Sequence, residues 1–261
     1  MQGWWREIAG LVLPVACGGC GSPRTPLCAS CARALHGSAA RRVRPTPAPA
    51  GLPAVHAAAP YEGPVRAVLL AHKERGALGL AGPLGTALAG AVRAAAGPSE
   101  ASGARPLLLV PVPSSRRSVR ARGHDPTRRI ARAAAAGLRR SGRPARVLPV
   151  LRQCREVADQ SGLGAHARSV NMRGALEVVP GAERLLGDGP VVLVDDLMTT
   201  GASLAEAARA LSAVHAAFTD GFTRSGAAVV AAVPRPFEIN RNYRGTRNVA
   251  GGERGKAPLR R

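Results

Sequence analysis

The sequence predicts an α/β fold in which a parallel sheet is flanked by helices, with a small cysteine-rich module at the N-terminus. Two apolar runs, Leu107–Val112 and Val191–Val194, have the composition of strands that are buried on both faces. Alanine-rich segments with helical periodicity follow them along the chain, an order typical of strand–helix units. Four of the five cysteines lie between Cys17 and Cys31, which predicts a separate small module.

Composition and charge narrow the classes of protein that fit. The chain has 261 residues, of which 46% are hydrophobic, so it can bury a substantial core. Its formal net charge is +21, and its only lysines are Lys73 and Lys256. The positive electrostatic field of such a charge favours binding of phosphorylated ligands or nucleic acid. An aromatic content of 3%, however, leaves few side chains on which bases could stack. We expect no membrane span and a cytoplasmic protein.

The segment Val191–Leu211 carries the most readable chemistry. A buried strand runs into two carboxylates, Asp195 and Asp196, and a turn of small and hydroxyl-bearing residues leads into a helix. Such a turn offers backbone N–H groups and the positive end of a helix to an anion. Adjacent carboxylates suit the vicinal hydroxyls of a ribose. We therefore predict a ribose 5-phosphate site whose phosphate-binding residues are Thr199, Thr200, Gly201, Ala202 and Ser203.

Two alternatives to this interpretation remain open. Ser203 and Glu206 have the spacing of a capping box, in which the serine hydroxyl serves the helix rather than a ligand. The whole segment could also be an ordinary strand-to-helix turn with solvated acids.

The order of these features resembles the phosphoribosyl diphosphate (PRPP) motif of type I phosphoribosyltransferases. The resemblance implies a type I phosphoribosyltransferase-like sheet. It also implies that Asp195 and Asp196 hold the ribose hydroxyls, that Thr199 to Ser203 hold the 5-phosphate, and that Mg²⁺ accompanies PRPP.

The cysteines form two pairs, Cys17-x-x-Cys20 and Cys28-x-x-Cys31. Paired knuckles of this kind place four thiolates around one tetrahedral ion, for which zinc is the expected occupant. A pair of disulfides is the alternative, which a reducing cytosol disfavours. Cys154 is left over, and a lone thiol of this kind is expected to have no catalytic role.

A basic segment, Ser114–Arg122, directly follows the strand Leu107–Val112. Because α/β folds bind ligands at the carboxyl ends of their strands, we expect a loop here to bind pyrophosphate. A solvated basic helix turn is the alternative. The candidate contacts are Ser114, Ser115, Arg116 and Arg117.

Further segments narrow the resemblance to ComF-type proteins, which also carry an N-terminal four-cysteine module. Tyr61–Pro64 and Leu70–Lys73 resemble the start of their phosphoribosyltransferase domain. Asp159–Leu163 resembles their substrate-covering loop, so a flexible loop with Gln160 and Arg168 is implied. The family pattern Arg-Gly-Phe-Asn is replaced here by Arg-Gly-His-Asp at 122–125, so the resemblance assigns no role to His124 or Asp125. We expect Asp125 to cap a helix and His124 to be exposed, and a general-base role for His124 is the alternative.

These features predict four segments. Residues 1–40 contain a docking helix, with its apolar face at Trp4, Trp5, Ile8, Leu11 and Val12, followed by the zinc module. Residues 41–53 are rich in Pro, Ala and Arg and predict a linker. Residues 54–235 form the phosphoribosyltransferase domain, with strands at 55–61 and 146–151 and helices at 64–72, 80–96 and 125–140. Residues 236–261 predict a basic disordered tail.

The resemblance implies two functions of different classes. One is a ComF-like, PRPP-binding accessory factor for DNA uptake in natural competence, with single-stranded DNA and other competence proteins as partners. The other is an active phosphoribosyltransferase that transfers ribose 5-phosphate to a nucleobase or another small nitrogen acceptor. We infer no catalytic residue or oligomeric state from the sequence.

Overall fold

A computed structural model describes residues 15–102, 105–157, 165–215 and 224–234. The predicted docking helix, Gln160 and the predicted tail lie outside these ranges. The strands, in chain order, are β1 Arg41–Val43, β2 Val55–Pro60, β3 Leu107–Pro111, β4 Ala145–Val147, β5 Leu151–Gln153, β6 Leu176–Val178, β7 Val191–Met198 and β8 Arg224–Ala232. The helices are α1 Ala29–His36, α2 Gly63–Glu74, α3 Ala81–Ser102 with a non-helical break at Gly97, α4 Arg116–Arg122, α5 Pro126–Arg140, α6 Ala165–Met172 and α7 Ala202–His215. Short 3₁₀ turns occur at Leu78–Leu80 and Glu183–Asp188.

Six strands form the central sheet in the order β1-β2-β8-β7-β3-β4. All neighbours are parallel except β1, which pairs antiparallel with β2. The inner strands are buried in two hydrophobic clusters. One cluster packs α2, α3 and α5 against the sheet, and the other packs α7 against it. This arrangement confirms the predicted α/β fold with a mostly parallel sheet flanked by helices.

Two strands differ from the sequence-based expectation. The single strand expected at 146–151 is divided into β4, which joins the central sheet, and β5, which pairs antiparallel with β6. Pro149 lies between them, and a proline has no N–H with which to continue a ladder. The segment interpreted as a linker contains β1, so it adds a strand beside β2, which we had expected at the edge.

Helix α3 is the most apolar long helix in the described part of the chain. The window Leu78–Gly97, which covers the 3₁₀ turn before α3 and most of α3, has a mean hydropathy of 1.2. It is long and apolar enough to cross a membrane, although no membrane span was expected. Half of that window is buried in the protein. A β-carbon on Gly85 would lie 2.4 Å from that of Ala133, so α3 and α5 cross at very close range. The buried half of this apolar surface therefore belongs to the core.

The cysteine module packs directly on this core. Leu35 of α1 is 1% exposed and belongs to the cluster beneath α2 and α3. A β-carbon on Gly18 would lie 2.6 Å from Leu80, and one on Gly19 would lie 3.3 Å from Val68. The glycines between the first two cysteines therefore allow the module to lie against α2.

Candidate functional site

The two predicted ribose-binding carboxylates lie at the carboxyl end of β7. Asp196 is buried, and its Oδ2 accepts a hydrogen bond of 2.8 Å from Lys73 Nζ at the end of α2. Asp195 Oδ1 accepts the backbone N–H of Asp196 at 2.8 Å and the hydroxyl of Thr127 at 3.4 Å. Both carboxylates therefore have partners within the chain.

The charges of this cluster alter one another's protonation. Burial and the neighbouring Asp196 charge raise the pKa of Asp195 well above its ordinary value, although Lys73 opposes them. Burial alone would lower the pKa of Lys73, but the Asp196 carboxylate outweighs it, so the pKa of Lys73 is raised. The cluster thus keeps Lys73 charged and disfavours the ionised form of Asp195.

The turn after β7 has the glycine that its geometry requires. Gly201 has φ +77°, a conformation that favours glycine. A β-carbon at this position would lie 3.0 Å from Leu52 and 3.4 Å from Pro45, both in the segment interpreted as a linker. In the structure these two side chains therefore lie close to the Gly201 backbone.

The capping-box alternative for Ser203 does not hold. The carboxylate of Glu206 accepts two hydrogen bonds from Arg209, at 2.7 and 2.9 Å, and one from the backbone N–H of Leu176 at 3.2 Å. Burial would raise the pKa of Glu206, but these donors lower it. Glu206 therefore serves a contact between α7 and β6, while Ser203 faces a cleft.

That cleft has a volume of about 990 Å³ and lies beside the carboxyl ends of the strands. It is larger than two other depressions of about 460 and 520 Å³. Three of the four predicted pyrophosphate contacts line this cleft: Ser114, Ser115 and Arg117. Ser203 and Lys73 line it as well. Arg116 is exposed but is not among its lining residues.

The basic segment is mostly helical rather than a loop. Ser115 caps α4, because its hydroxyl oxygen accepts the backbone N–H of Ser118 at 3.1 Å. Arg122 then forms a two-pronged pair with Glu74, with both N–O distances at 2.9 Å. The helical alternative is thus correct from residue 116 onward, and α4 nevertheless directs Arg117 into the cleft.

The flexible-loop residues are only partly within the described ranges. Arg168 lies on α6 and donates a hydrogen bond of 3.2 Å to the hydroxyl of Thr199. This contact brings α6 against the predicted phosphate turn. Gln160 lies outside the described residues, so its predicted role stays a prediction.

The two positions that depart from the ComF pattern have local roles. Asp125 caps α5 by accepting the backbone N–H of Arg128 at 3.0 Å, as predicted. His124 lines the cleft and is half-buried, rather than exposed as we had expected. Its ring centroid lies 5.7 Å from that of the fully buried His72, whose pKa is lowered by burial.

Lys73 and Thr127 contact the acidic pair, and the sequence alone indicated no role for either residue. One feature of the sequence could have drawn attention to Lys73: it is one of only two lysines among 37 basic residues. No such feature marked Thr127, because a threonine in the first turn of a helix is common. Their partners lie 123 and 68 positions away along the chain.

The four N-terminal cysteines converge on one point. Their sulfur atoms all lie within 4.8 Å of one another, and those of Cys20 and Cys28 are 3.6 Å apart. Every cysteine of the chain is within the described residues and is a free thiol, so the disulfide alternative fails. This cluster could hold one metal ion.

The surroundings of the thiols differ. Burial alone would raise the pKa of the Cys17 thiol, but backbone N–H groups of Cys28, Cys20 and Gly19 lower it to about 6. The Cys28 N–H lies 3.3 Å from the Cys17 sulfur. Burial and the neighbouring thiols raise the pKa of Cys31. Backbone donors thus stabilise a thiolate in the cluster, as a metal ligand requires.

Together the fold and the site define an α/β protein with a four-thiol cluster and a cationic cleft beside two carboxylates. Comparison of the chain with protein-family models and with curated proteins found no match.

Proposed function

We propose that this chain is a ComF-like protein with a phosphoribosyltransferase-type fold that binds PRPP in the cleft. The supporting observation is convergence: Ser203, which follows the acidic pair, lines the same cleft as Ser114, Ser115 and Arg117. A phosphate site and a basic diphosphate site in one cleft would match the two ends of PRPP. The role proposed from the ComF resemblance is an accessory one in DNA uptake.

The proposed contacts follow from the chemistry of each group. Asp195 and Asp196 accept hydrogen bonds from the ribose hydroxyls, and the turn from Thr199 to Ser203 donates to the 5-phosphate. Arg117 and the serines before it bind the diphosphate. Mg²⁺, when bound with PRPP, neutralises phosphate charge and retains several waters. Few protein ligands to Mg²⁺ are then needed.

The alternative is an active phosphoribosyltransferase. The bond from ribose C1 to the diphosphate oxygen would break, a bond from C1 to an acceptor nitrogen would form, and the acceptor would release a proton to solvent. Negative charge develops on the diphosphate as it leaves the ribose, so catalysis would be positioning plus electrostatic stabilisation of the diphosphate by Arg117 and Lys73. Release of pyrophosphate from PRPP across a panel of acceptors distinguishes this alternative from binding alone.

Replacing the cleft residues should weaken PRPP binding. We expect Arg117→Gln and Ser203→Ala each to raise the Kd of PRPP with Mg²⁺ by about tenfold, because each removes one charged or hydrogen-bonding contact. Titration calorimetry measures this. Arg120→Gln is the matched control, since Arg120 is exposed on the same helix but does not line the cleft. Equal increases in Kd for the Arg117 and Arg120 variants would contradict the proposal that PRPP binds in the cleft.

We also propose that zinc occupies the four-cysteine cluster. A tetrahedral ion with metal–sulfur bonds of about 2.3 Å holds its sulfurs about 3.8 Å apart. The sulfur separations here, up to 4.8 Å with one at 3.6 Å, need only small side-chain adjustments to reach that geometry. Four thiolates leave no open position, so the ion would have a structural role.

One further surface favours single-stranded DNA as a partner. Helix α5 contains no acidic residue, and its exposed face carries four arginines: Arg129, Arg132, Arg139 and Arg140. The helix extends for roughly 22 Å from its start beside Asp195, a length over which a nucleic-acid backbone presents several phosphates.

Single-strand affinity should therefore depend steeply on salt. We expect Arg129→Gln/Arg132→Gln to flatten the slope of log K against log salt by about 1.4, because two phosphate contacts are lost. The PRPP affinity of this double variant should be unchanged. Fluorescence anisotropy with a labelled oligonucleotide measures the slope. A flat response of the unaltered protein would argue against this partner.

A further inference from the structure

The ion pair between Lys73 and Asp196 spans the junction between the cleft and the acidic pair. Its N–O distance is 2.8 Å, and the Asp196 side chain is only 6% exposed. The Lys73 side chain is 32% exposed and lines the cleft with Arg117 and Ser114. Lys73 thus has a buried partner on one side and open cleft on the other.

The ligand proposed for this site competes with that pair. If Asp196 accepts a hydrogen bond from a ribose hydroxyl, Lys73 loses part of its contact with the Asp196 carboxylate. A diphosphate in the same cleft brings new negative charge within reach of a four-carbon side chain. We propose that Lys73 balances the acidic pair in the unliganded protein and transfers to the diphosphate when PRPP binds, which makes it a specificity-determining residue. This inference rests on the proposed PRPP site.

The residue type supports an exchange of partners. Thirty-five of the 37 basic residues are arginine, and within the described ranges lysine occurs only at 73. An arginine would hold a carboxylate with a planar two-pronged contact, whereas lysine is a point charge on a flexible stem. An arginine here would therefore release Asp196 less readily.

The backbone that carries Lys73 is meanwhile anchored. Its neighbour Glu74 accepts both prongs of Arg122 at 2.9 Å, which ties the end of α2 to α4. Behind it, Ala71 and His72 are buried. The Lys73 side chain can therefore change partner without movement of the helix.

The consequence is selectivity for a diphosphate. Ribose 5-phosphate must disturb the Lys73–Asp196 pair and offers no group at C1 that replaces Asp196 as a partner. PRPP supplies such a group. The positive charge of Lys73 should therefore favour PRPP over ribose 5-phosphate.

The test compares two ligands on two variants by calorimetry. We expect Lys73→Gln to weaken PRPP binding about 10- to 100-fold, the value of a lost charged contact, and to change ribose 5-phosphate binding less than about threefold. Arg75→Gln is the matched control, because Arg75 is exposed at the end of the same helix and does not line the cleft. Equal weakening of both ligands would indicate a structural role only, and no change in either would also overturn the proposal.

A second measurement needs no substitution at Lys73. Selective ¹⁵N or ¹³C labelling of lysine gives signals from only two side chains, and Lys256→Arg assigns the one from Lys73. We expect PRPP with Mg²⁺ to shift the Lys73 signal and Mg²⁺ alone to leave it in place. An unshifted signal in a protein that binds PRPP overturns the inference and leaves the proposed function intact. A protein that does not bind PRPP overturns both.

Discussion

Replacing Asp195 by asparagine should stabilise the protein at neutral pH while it abolishes PRPP binding. Burial and the Asp196 charge raise the pKa of Asp195, so the ionised carboxylate costs folding free energy. Asparagine removes the charge and keeps an oxygen for the Thr127 hydroxyl and the Asp196 N–H. We expect the free energy of unfolding at pH 7 to rise, because the raised pKa makes the ionised form of Asp195 unfavourable in the folded protein.

The pH dependence of this gain follows from the direction of the pKa shift. Between the ordinary pKa of an aspartate and the raised pKa of Asp195, the folded protein holds a proton that the unfolded chain has released. The contribution of Asp195 is therefore fully present below its ordinary pKa and is lost as pH rises towards and through the raised value. Asp195→Asn should gain little near pH 3 and most above that window.

Urea unfolding across pH checks this expectation. Asp188→Asn is a suitable control, because Asp188 is exposed and its surface pair with Arg146, at 3.2 Å, contributes little. It should change neither stability nor PRPP affinity appreciably. Asp196→Asn should abolish PRPP binding as Asp195→Asn does. Unchanged affinity in both would discard the ribose assignment, and an Asp195→Asn protein that is less stable at pH 7 would contradict the electrostatic account.

Removing the metal, or replacing Cys28 by serine, should unfold the cysteine module and leave the sheet intact. The module has few elements of its own besides α1, whose Leu35 is its largest contribution to the core. In small zinc modules the metal supplies most of the folding free energy, about 10–16 kcal/mol. We expect amide protection in residues 15–40 to fall by at least about 100-fold.

Elemental analysis and hydrogen exchange test this prediction together. The purified protein should contain one zinc per chain, and a chelator should reproduce the effect of Cys28→Ser. Cys154→Ser is the matched control, because Cys154 is exposed, donates a hydrogen bond of 3.2 Å to the Gly174 carbonyl and is not part of the four-cysteine cluster. Protein without metal, or full protection in the Cys28→Ser variant, would end the zinc proposal.

Local pattern accounts for the parts of the fold that were predicted correctly. The apolar runs that became β3 and β7 are buried throughout most of their length, and their composition alone indicates strands within a sheet. Asp125 sits directly before a proline and a helical repeat, so its capping role could also be predicted. The convergence of the cysteine pairs could be predicted because the short, glycine-containing turns between them restrict how far apart the cysteines can lie.

Contacts between distant segments account for what was missed. Strand β1 is a three-residue segment of two arginines and a valine, with no strand signal until β2 pairs with it. Glu206 has capping-box spacing, but Arg209 and Leu176 take its carboxylate once α7 packs against β6. Nothing in the spacing of residues could place Leu52 over Gly201.

The sequence by itself determined the α/β class, the strand–turn–helix unit with its acidic pair and the four-cysteine module. Each depends on periodicity or spacing within about thirty residues, where chain geometry leaves few alternatives. Only the tertiary structure decided which groups meet in and beside the cleft, above all that Lys73 lies 2.8 Å from the buried Asp196 across 123 positions of sequence. The physical reason is that a buried carboxylate needs a counter-charge, and only the packing of α2 against the sheet supplies one.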